Sequence, residues 1–149
     1  MAMRLNYAEV APEAYRALGR LEYYTKNCGL EISLIELVKI RASQVNRCAY
    51  CIAKHTKDAR AVGESEQRLS LLSTWRDAPF YSQRERAALE WTEVLTLIAN
   101  THVPDEIYQR VTPHFTDEEL VNLTVAVATI NAWNRLIISF GGETDYYRP

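Results

Sequence analysis

Cys48, Cys51 and His55, set within RCAYCIAKHTKDAR from Arg47 to Arg60, are the residues of this chain best suited to chemistry. On a helix, positions i, i+3 and i+7 share a face, so the two thiols and the imidazole line up, with His55 one turn beyond Cys51. Cys48 falls near the expected start of its helix, where unsatisfied N–H groups and the positive dipole end favour thiolate over thiol. His55 stands where it can take the proton of Cys51, and Cys48 is near enough to resolve an oxidised partner. A thiolate, a proton acceptor and a second thiol within eight residues make up a reactive dithiol.

Two plainer readings compete with it. Isolated cysteines are among the most buried residues and mostly act as small apolar side chains, but a pair at i, i+3 followed by a histidine weakens a purely packing role. A closed zinc site needs four ligands, and the motif supplies three, with Cys28 as the only further cysteine. The Ala-Tyr between Cys48 and Cys51 reads as helix, not as the Gly-containing turn that wraps zinc, and no second C-x-x-C exists. Nor is the motif thioredoxin-like, because a thioredoxin C-x-x-C follows a strand and here the preceding segment reads as helix.

The elements that must position these residues are helical throughout. Apolar residues recur at three-and-four spacing and nowhere in sustained alternation, so the fold class is all-α. The first helix is expected from Pro12 to a cap at Gly29, followed by Ser33 to Arg47, then the dithiol helix ending at Gly63, and a short helix around EQRLSLLSTW. DAPFYS is a turn, and the next helix, from Ser82 to Asn100, opens with a Ser-x-x-Glu capping box. A shorter helix follows Pro104. The last begins at the Thr116-x-x-Glu119 capping box and stops at Gly141 and Gly142. Its middle, LVNLTVAVATI, is apolar nearly all round, which predicts burial on every side at a bundle centre or in a subunit interface.

Composition sets the frame. The 149 residues make one domain, 1–149, long enough to bury roughly two thirds of its unfolded surface. Apolar residues form 48% and charged residues 24%, and no run of eighteen apolar residues stands out, so no membrane association is expected. Seventeen basic and nineteen acidic residues are spread along the chain, leaving no electrostatic footprint for nucleic acid. MAMRLNYAEV lacks the apolar core and cleavage site of a secretory signal, and three cysteines with two in a C-x-x-C do not form an extracellular disulfide framework; a reducing cytoplasmic setting is expected.

Glu36, eleven intervening residues, and then Cys48, Cys51 and His55 together form a pattern of four chemically specific positions at fixed spacing. This pattern resembles that of the AhpD-like alkylhydroperoxidases of the carboxymuconolactone decarboxylase superfamily, and ATINAWNRL, Ala128 to Leu136, is similar to the late helix of the short single-domain members. The resemblance implies a helical bundle of about six to eight helices. It implies that Cys51 reacts with peroxide, that Cys48 resolves it to a disulfide, and that Glu36 and His55 relay protons. Some AhpD proteins carry a second histidine inside the C-x-x-C, where this chain has Tyr50, a poor base because its pKa lies near 10.

From the residues alone, Glu36 has a second role open to it, since Ser33-x-x-Glu36 is itself a capping-box pattern. His102 and His114 sit beside prolines and read as surface histidines; Cys28 is assigned a helix C-terminal position and no chemistry, with the disulfide expected between Cys48 and Cys51.

The activity implied is a peroxidase that reduces alkyl hydroperoxides without metal or organic cofactor and is recharged by an external dithiol reductant, which in the family can be a lipoylated protein. A homo-trimer or homo-hexamer is implied as well. The rivals are a non-catalytic redox sensor or thiol-regulated chaperone, in which the same disulfide switches assembly, and the decarboxylase activity that names the superfamily, which leaves the C-x-x-C unexplained.

Overall fold

A computed structural model describes residues 3–142, which form nine α-helices, two short 3-10 turns and no strand. The helices are α1 (Tyr7–Val10), α2 (Pro12–Lys26), α3 (Ile32–Val45), α4 (Ala49–Ala61), α5 (Glu66–Leu71), α6 (Gln83–Thr96), α7 (Ile98–Thr101), α8 (Asp105–Val111) and α9 (Asp117–Phe140).

Local chemistry sets most of the boundaries. Pro12 opens α2 at its first position, where a missing N–H costs nothing. Both expected capping boxes are present: the Ser82 hydroxyl accepts from the Glu85 N–H and the Glu85 carboxylate accepts in return, and Thr116 and Glu119 do the same for α9. Gly63, at φ +93°, closes α4, its N–H donating to the Arg60 carbonyl while the Glu64 N–H reaches Ala59.

Three expectations are corrected. α2 ends at Lys26, because the Asn27 N–H and side-chain amide satisfy the carbonyls of Tyr24 and Tyr23 before Gly29 is reached. The helix expected from Ser82 to Asn100 is two, parted where Leu97 leaves helical values at φ −102° and ψ 22°. Nor is the middle of α9 enclosed at the centre of the bundle, since Val121 is 61% exposed within one chain, which leaves the subunit-interface alternative for it.

The enclosed helix is α3, which packs against α4, α6 and α9. Every residue from Leu34 to Ile40 is buried, so the charged Glu36 and Lys39 lie inside the protein and must be compensated there. Its apolar side chains feed two core clusters. Leu34, Ile35 and Val38 join Trp91, Leu123 and Val127 of α6 and α9; Leu37 and Ile40 join Leu72, Trp75 and Leu89. By length and composition α9 could cross a membrane; here it packs against α2, α3 and α6.

Candidate active site

The site is built at the corner where α3 hands over to α4. Arg47 sits there in the left-handed region at φ +58°, unusual for a residue with a side chain. With Arg47 so turned, its N–H donates to the Gln44 carbonyl and the Cys48 N–H to the Ser43 carbonyl at 2.9 Å, closing α3. Cys48 then serves as the N-cap of α4 at φ −87° and ψ 91°. One residue thus ends a helix and begins the next, which puts its sulfur at the positive end of α4.

α9 holds the corner in place. The Asn46 amide donates to Asn134 Oδ1 at 2.8 Å and to Asn131 Oδ1 at 3.0 Å, and Asn134 Nδ2 donates to the Ser43 hydroxyl at 3.1 Å. Asn134 is fully buried, so these bonds are made in a setting where an unpaired amide is expensive.

Cys48 and Cys51 are joined as a disulfide with their Cα atoms 5.4 Å apart, and Cys28 is a free thiol. Cys28 lies beyond the end of α2, packs against the cluster of Leu34 and Val127, and donates to the Thr25 carbonyl at 3.2 Å. It therefore belongs to a different part of the core from the dithiol, and a zinc site completed by Cys28 does not fit this arrangement. Among the described residues, the ligand atoms of Glu36, His55 and Asp58 lie within 4.8 Å of one another, but Glu36 and His55 already bond each other.

His55 is 4% exposed, and its Nδ1 lies 2.7 Å from Glu36 Oε2. Burial pushes the Glu36 carboxyl up, but the hydrogen bond and charge of His55, with the charges of Lys39 and Lys26, outweigh it and leave Glu36 below the usual carboxylate value. Glu36 is thus ionised and can only accept, so the proton lies on Nδ1 and a neutral ring keeps its lone pair on Nε2. This corrects the capping-box reading: α3 begins at Ile32 with Glu31 as N-cap, Ser33 is already inside it, and the Glu36 carboxylate turns to His55 and Lys39.

The charges continue inward. Lys39 Nζ, with no exposed surface on its side chain, is 3.4 Å from Glu36 Oε1 and 2.6 Å from Glu22 Oε1. Glu22 lies 3.7 Å from Lys26, and its second oxygen, Oε2, is buried without a hydrogen-bond partner among the described residues. Sequence reasoning did not find Lys39, Glu22 or the asparagine clamp. The signals were a lysine in the apolar run SLIELVKI and two asparagines three apart, Asn131 and Asn134, in the largely apolar stretch ATINAWN. His102 is exposed in the loop after α7, and His114 lies in a 3-10 turn where its carbonyl accepts from Arg84.

Cys51 and His55 share the wall of a cavity of about 400 Å³, together with Glu22, Tyr50, Tyr15 and Trp133. That volume is within the range of small-molecule sites.

A sequence profile of the carboxymuconolactone decarboxylase family matches residues 12–94, which span α2 to α6 up to Val94 and contain Glu36, Cys48, Cys51 and His55. The chain belongs to this family. It is 46% identical over 143 residues to the uncharacterized protein YdfG of Bacillus subtilis (strain 168), an alignment covering 96% of this chain and 97% of the relative. A crystal structure from Agrobacterium tumefaciens, of a protein of unknown function described as a candidate antioxidant defence protein AhpD, superposes with a TM-score of 0.92 at 44% identity, over 95% of this chain and 97% of that one. A peroxidase-related protein from Ralstonia eutropha JMP134, an alkylhydroperoxidase AhpD core, shares the fold at a TM-score of 0.78 and 18% identity, over 94% of this chain and 76% of that one. The protein is an AhpD-like member of the carboxymuconolactone decarboxylase family.

Proposed function

We propose that this AhpD-like protein is a thiol peroxidase that reduces organic hydroperoxides by a disulfide cycle. The observation that carries the reading is that Cys51, bridged to Cys48, shares one cavity wall with a His55 whose Nδ1 is tied to a buried, ionised Glu36.

In the reduced protein, His55 Nε2 takes the Cys51 proton. The thiolate attacks the outer oxygen of the hydroperoxide, the O–O bond breaks, and the departing alkoxide takes the proton back as an alcohol. Cys51 is left as a sulfenic acid. The Cys48 thiolate, held at the helix N-terminus, attacks the Cys51 sulfur, expels hydroxide that leaves as water, and forms the disulfide. Glu36 keeps the imidazole in the tautomer that presents Nε2, the role a carboxylate plays behind a catalytic histidine. An external dithiol, such as a lipoyl group on a partner protein, returns both thiols by exchange.

The roomy, partly aromatic cavity favours an organic hydroperoxide over hydrogen peroxide. The candidate antioxidant role of the Agrobacterium tumefaciens relative supports the same reading. Repeated turnover of cumene hydroperoxide with a dithiol reductant is expected; consumption that stops after a single round would instead assign the disulfide to a redox switch.

We also propose that copies associate as a trimer or as a hexamer built from it. The support is the uncovered apolar surface where α2 meets α9: Val121 is exposed beside Asn122, whose Oδ1 accepts from the half-exposed Tyr24.

A further inference from the structure

The two sulfur-bearing residues of the disulfide face different cavities. Cys51 lines the larger one with His55, whereas Cys48 lines a second cavity of about 170 Å³ bounded by Arg47, Ile138, Gly141 and Gly142. Tyr50, between the cysteines, lines both, as does Ile137 of α9. Its ring lies against Gly142, where an added Cβ would come within 2.9 Å of it, so the absence of a side chain at 142 is what lets the ring sit there. Tyr50 and Ile137 together therefore form the wall between the two spaces, which gives the residue inside the C-x-x-C a task other than proton transfer.

Neither cysteine is more than 2% exposed, so each is reached through the cavity that it lines. Thiol–disulfide exchange proceeds by attack of a thiolate on one sulfur while the other leaves, with the three sulfurs nearly in line. An attack on Cys48 must come from the side away from Cys51, and the smaller cavity opens onto Cys48 alone. The thiolate that then leaves is Cys51, which His55 attends; an attack on Cys51 from the larger cavity would instead release Cys48 at the α4 N-terminus, so access rather than leaving-group stabilisation separates the two routes.

We propose that the smaller cavity is the entry site of the reductant, a slender alkyl dithiol, and that peroxide and reductant use separate mouths divided by Tyr50 and Ile137. At about 30 Å³ of liquid volume per water, the space equals that of some five or six waters, enough for the dithiol end of a chain and too small for a folded peptide. One thiolate of the dithiol bonds to the Cys48 sulfur, the Cys48–Cys51 bond breaks, and its electron pair goes to Cys51. The dithiol's second thiol gives its proton to the Cys51 thiolate and attacks the reductant's first sulfur in the mixed disulfide, releasing Cys48 as a thiolate that takes a proton from solvent. The reductant is oxidised to its disulfide by two electrons, and the protein dithiol is regenerated with Cys51 already facing the peroxide cavity.

This inference rests on the disulfide cycle of the proposed peroxidase, but its test needs no peroxide. Ile138 lines only the smaller cavity and is exposed on α9; Gly19 lines only the larger, and a Cβ there meets nothing within 4 Å. Ile138→Trp and Gly19→Leu thus narrow one mouth each without disturbing the core. The disulfide form of each is mixed with dihydrolipoamide, and free thiols are counted after acid quenching and alkylation. Misplacing a reacting group by an ångström slows attack by up to about a hundredfold, so Ile138→Trp is expected to be reduced at least about tenfold more slowly than Gly19→Leu. Equal rates, or the reverse order, overturn the proposal. In a second measurement a monothiol, 2-mercaptoethanol, is reacted briefly with the unaltered protein, and the first adduct is mapped. It is expected on Cys48, and an adduct on Cys51 overturns the assignment. If these results hold while the reduced protein ignores hydroperoxide, the peroxidase reading fails and the entry site stands.

Discussion

Lys39→Met removes the buried cation from the chain of charges that runs Lys26, Glu22, Lys39, Glu36, His55 and keeps the volume of the side chain. Nζ is 2.6 Å from Glu22 and 3.4 Å from Glu36, and at an effective dielectric near 20 each contact is worth about 5–6 kcal/mol of attraction before desolvation is counted. Desolvating the ammonium offsets several kcal/mol of this. Removing it leaves Glu36 with His55 and Glu22 with the more distant Lys26 as their remaining partners, a loss of up to about 3–5 kcal/mol. The pH dependence follows from the direction of the Glu36 shift. Its folded pKa lies below its unfolded value, so its contribution is present above the unfolded pKa and is lost as pH falls through the folded one. Without Lys39, one cause of that lowering is gone and the loss begins at higher pH. The gap between variant and unaltered protein should be widest at neutral pH and should narrow towards roughly pH 4, where protonated carboxyls need no cation. Urea unfolding of both proteins across that range measures it. A gap under about 1 kcal/mol at neutral pH, or one that widens on acidification, would refute the charge chain.

Other outcomes follow from the same geometry. Glu36→Gln and His55→Ala should each slow the reaction of the reduced protein with cumene hydroperoxide by about 10²–10⁴-fold, measured in a single turnover; an unchanged rate in Glu36→Gln would remove the carboxylate from the relay. Peptide mapping of peroxide-treated protein should find Cys48 bridged to Cys51 and Cys28 alkylatable, and a Cys28 bridge would contradict the separation of the two regions. Sedimentation at micromolar concentration should give a trimer or hexamer, with a Val121→Glu variant shifted towards monomer; a monomer in both would leave the α2–α9 surface without this role.

What was legible in the sequence was what four or five neighbouring residues encode. The capping boxes at Ser82 and Thr116 could be read because each is closed by its own glutamate three residues on. The same pattern at Ser33 left two roles open, and there Glu36 is drawn away by a histidine nineteen residues later, a competition that no local rule contains. The spacing of Cys48, Cys51 and His55 placed them on one helix, and the structure keeps them there with Glu36 brought in from α3. That the corner before Cys48 turns on a left-handed Arg47 was hidden, because arginine carries no signature of that conformation as glycine does. Lys39 and Glu22 meet across two helices, and Asn46 meets Asn131 and Asn134 across 85 and 88 positions. Such contacts leave only a polar residue in an apolar run as their trace.

The central claim is tested most directly by mixing reduced protein, Cys48→Ser and Cys51→Ser with cumene hydroperoxide and following both peroxide loss and the state of each sulfur by mass spectrometry. The account predicts that the unaltered protein closes the Cys48–Cys51 disulfide, that Cys48→Ser consumes peroxide for one round and stops at a sulfenic acid on Cys51, and that Cys51→Ser leaves the peroxide untouched. Peroxide loss in Cys51→Ser at the unaltered rate, or none in the unaltered protein, would contradict it.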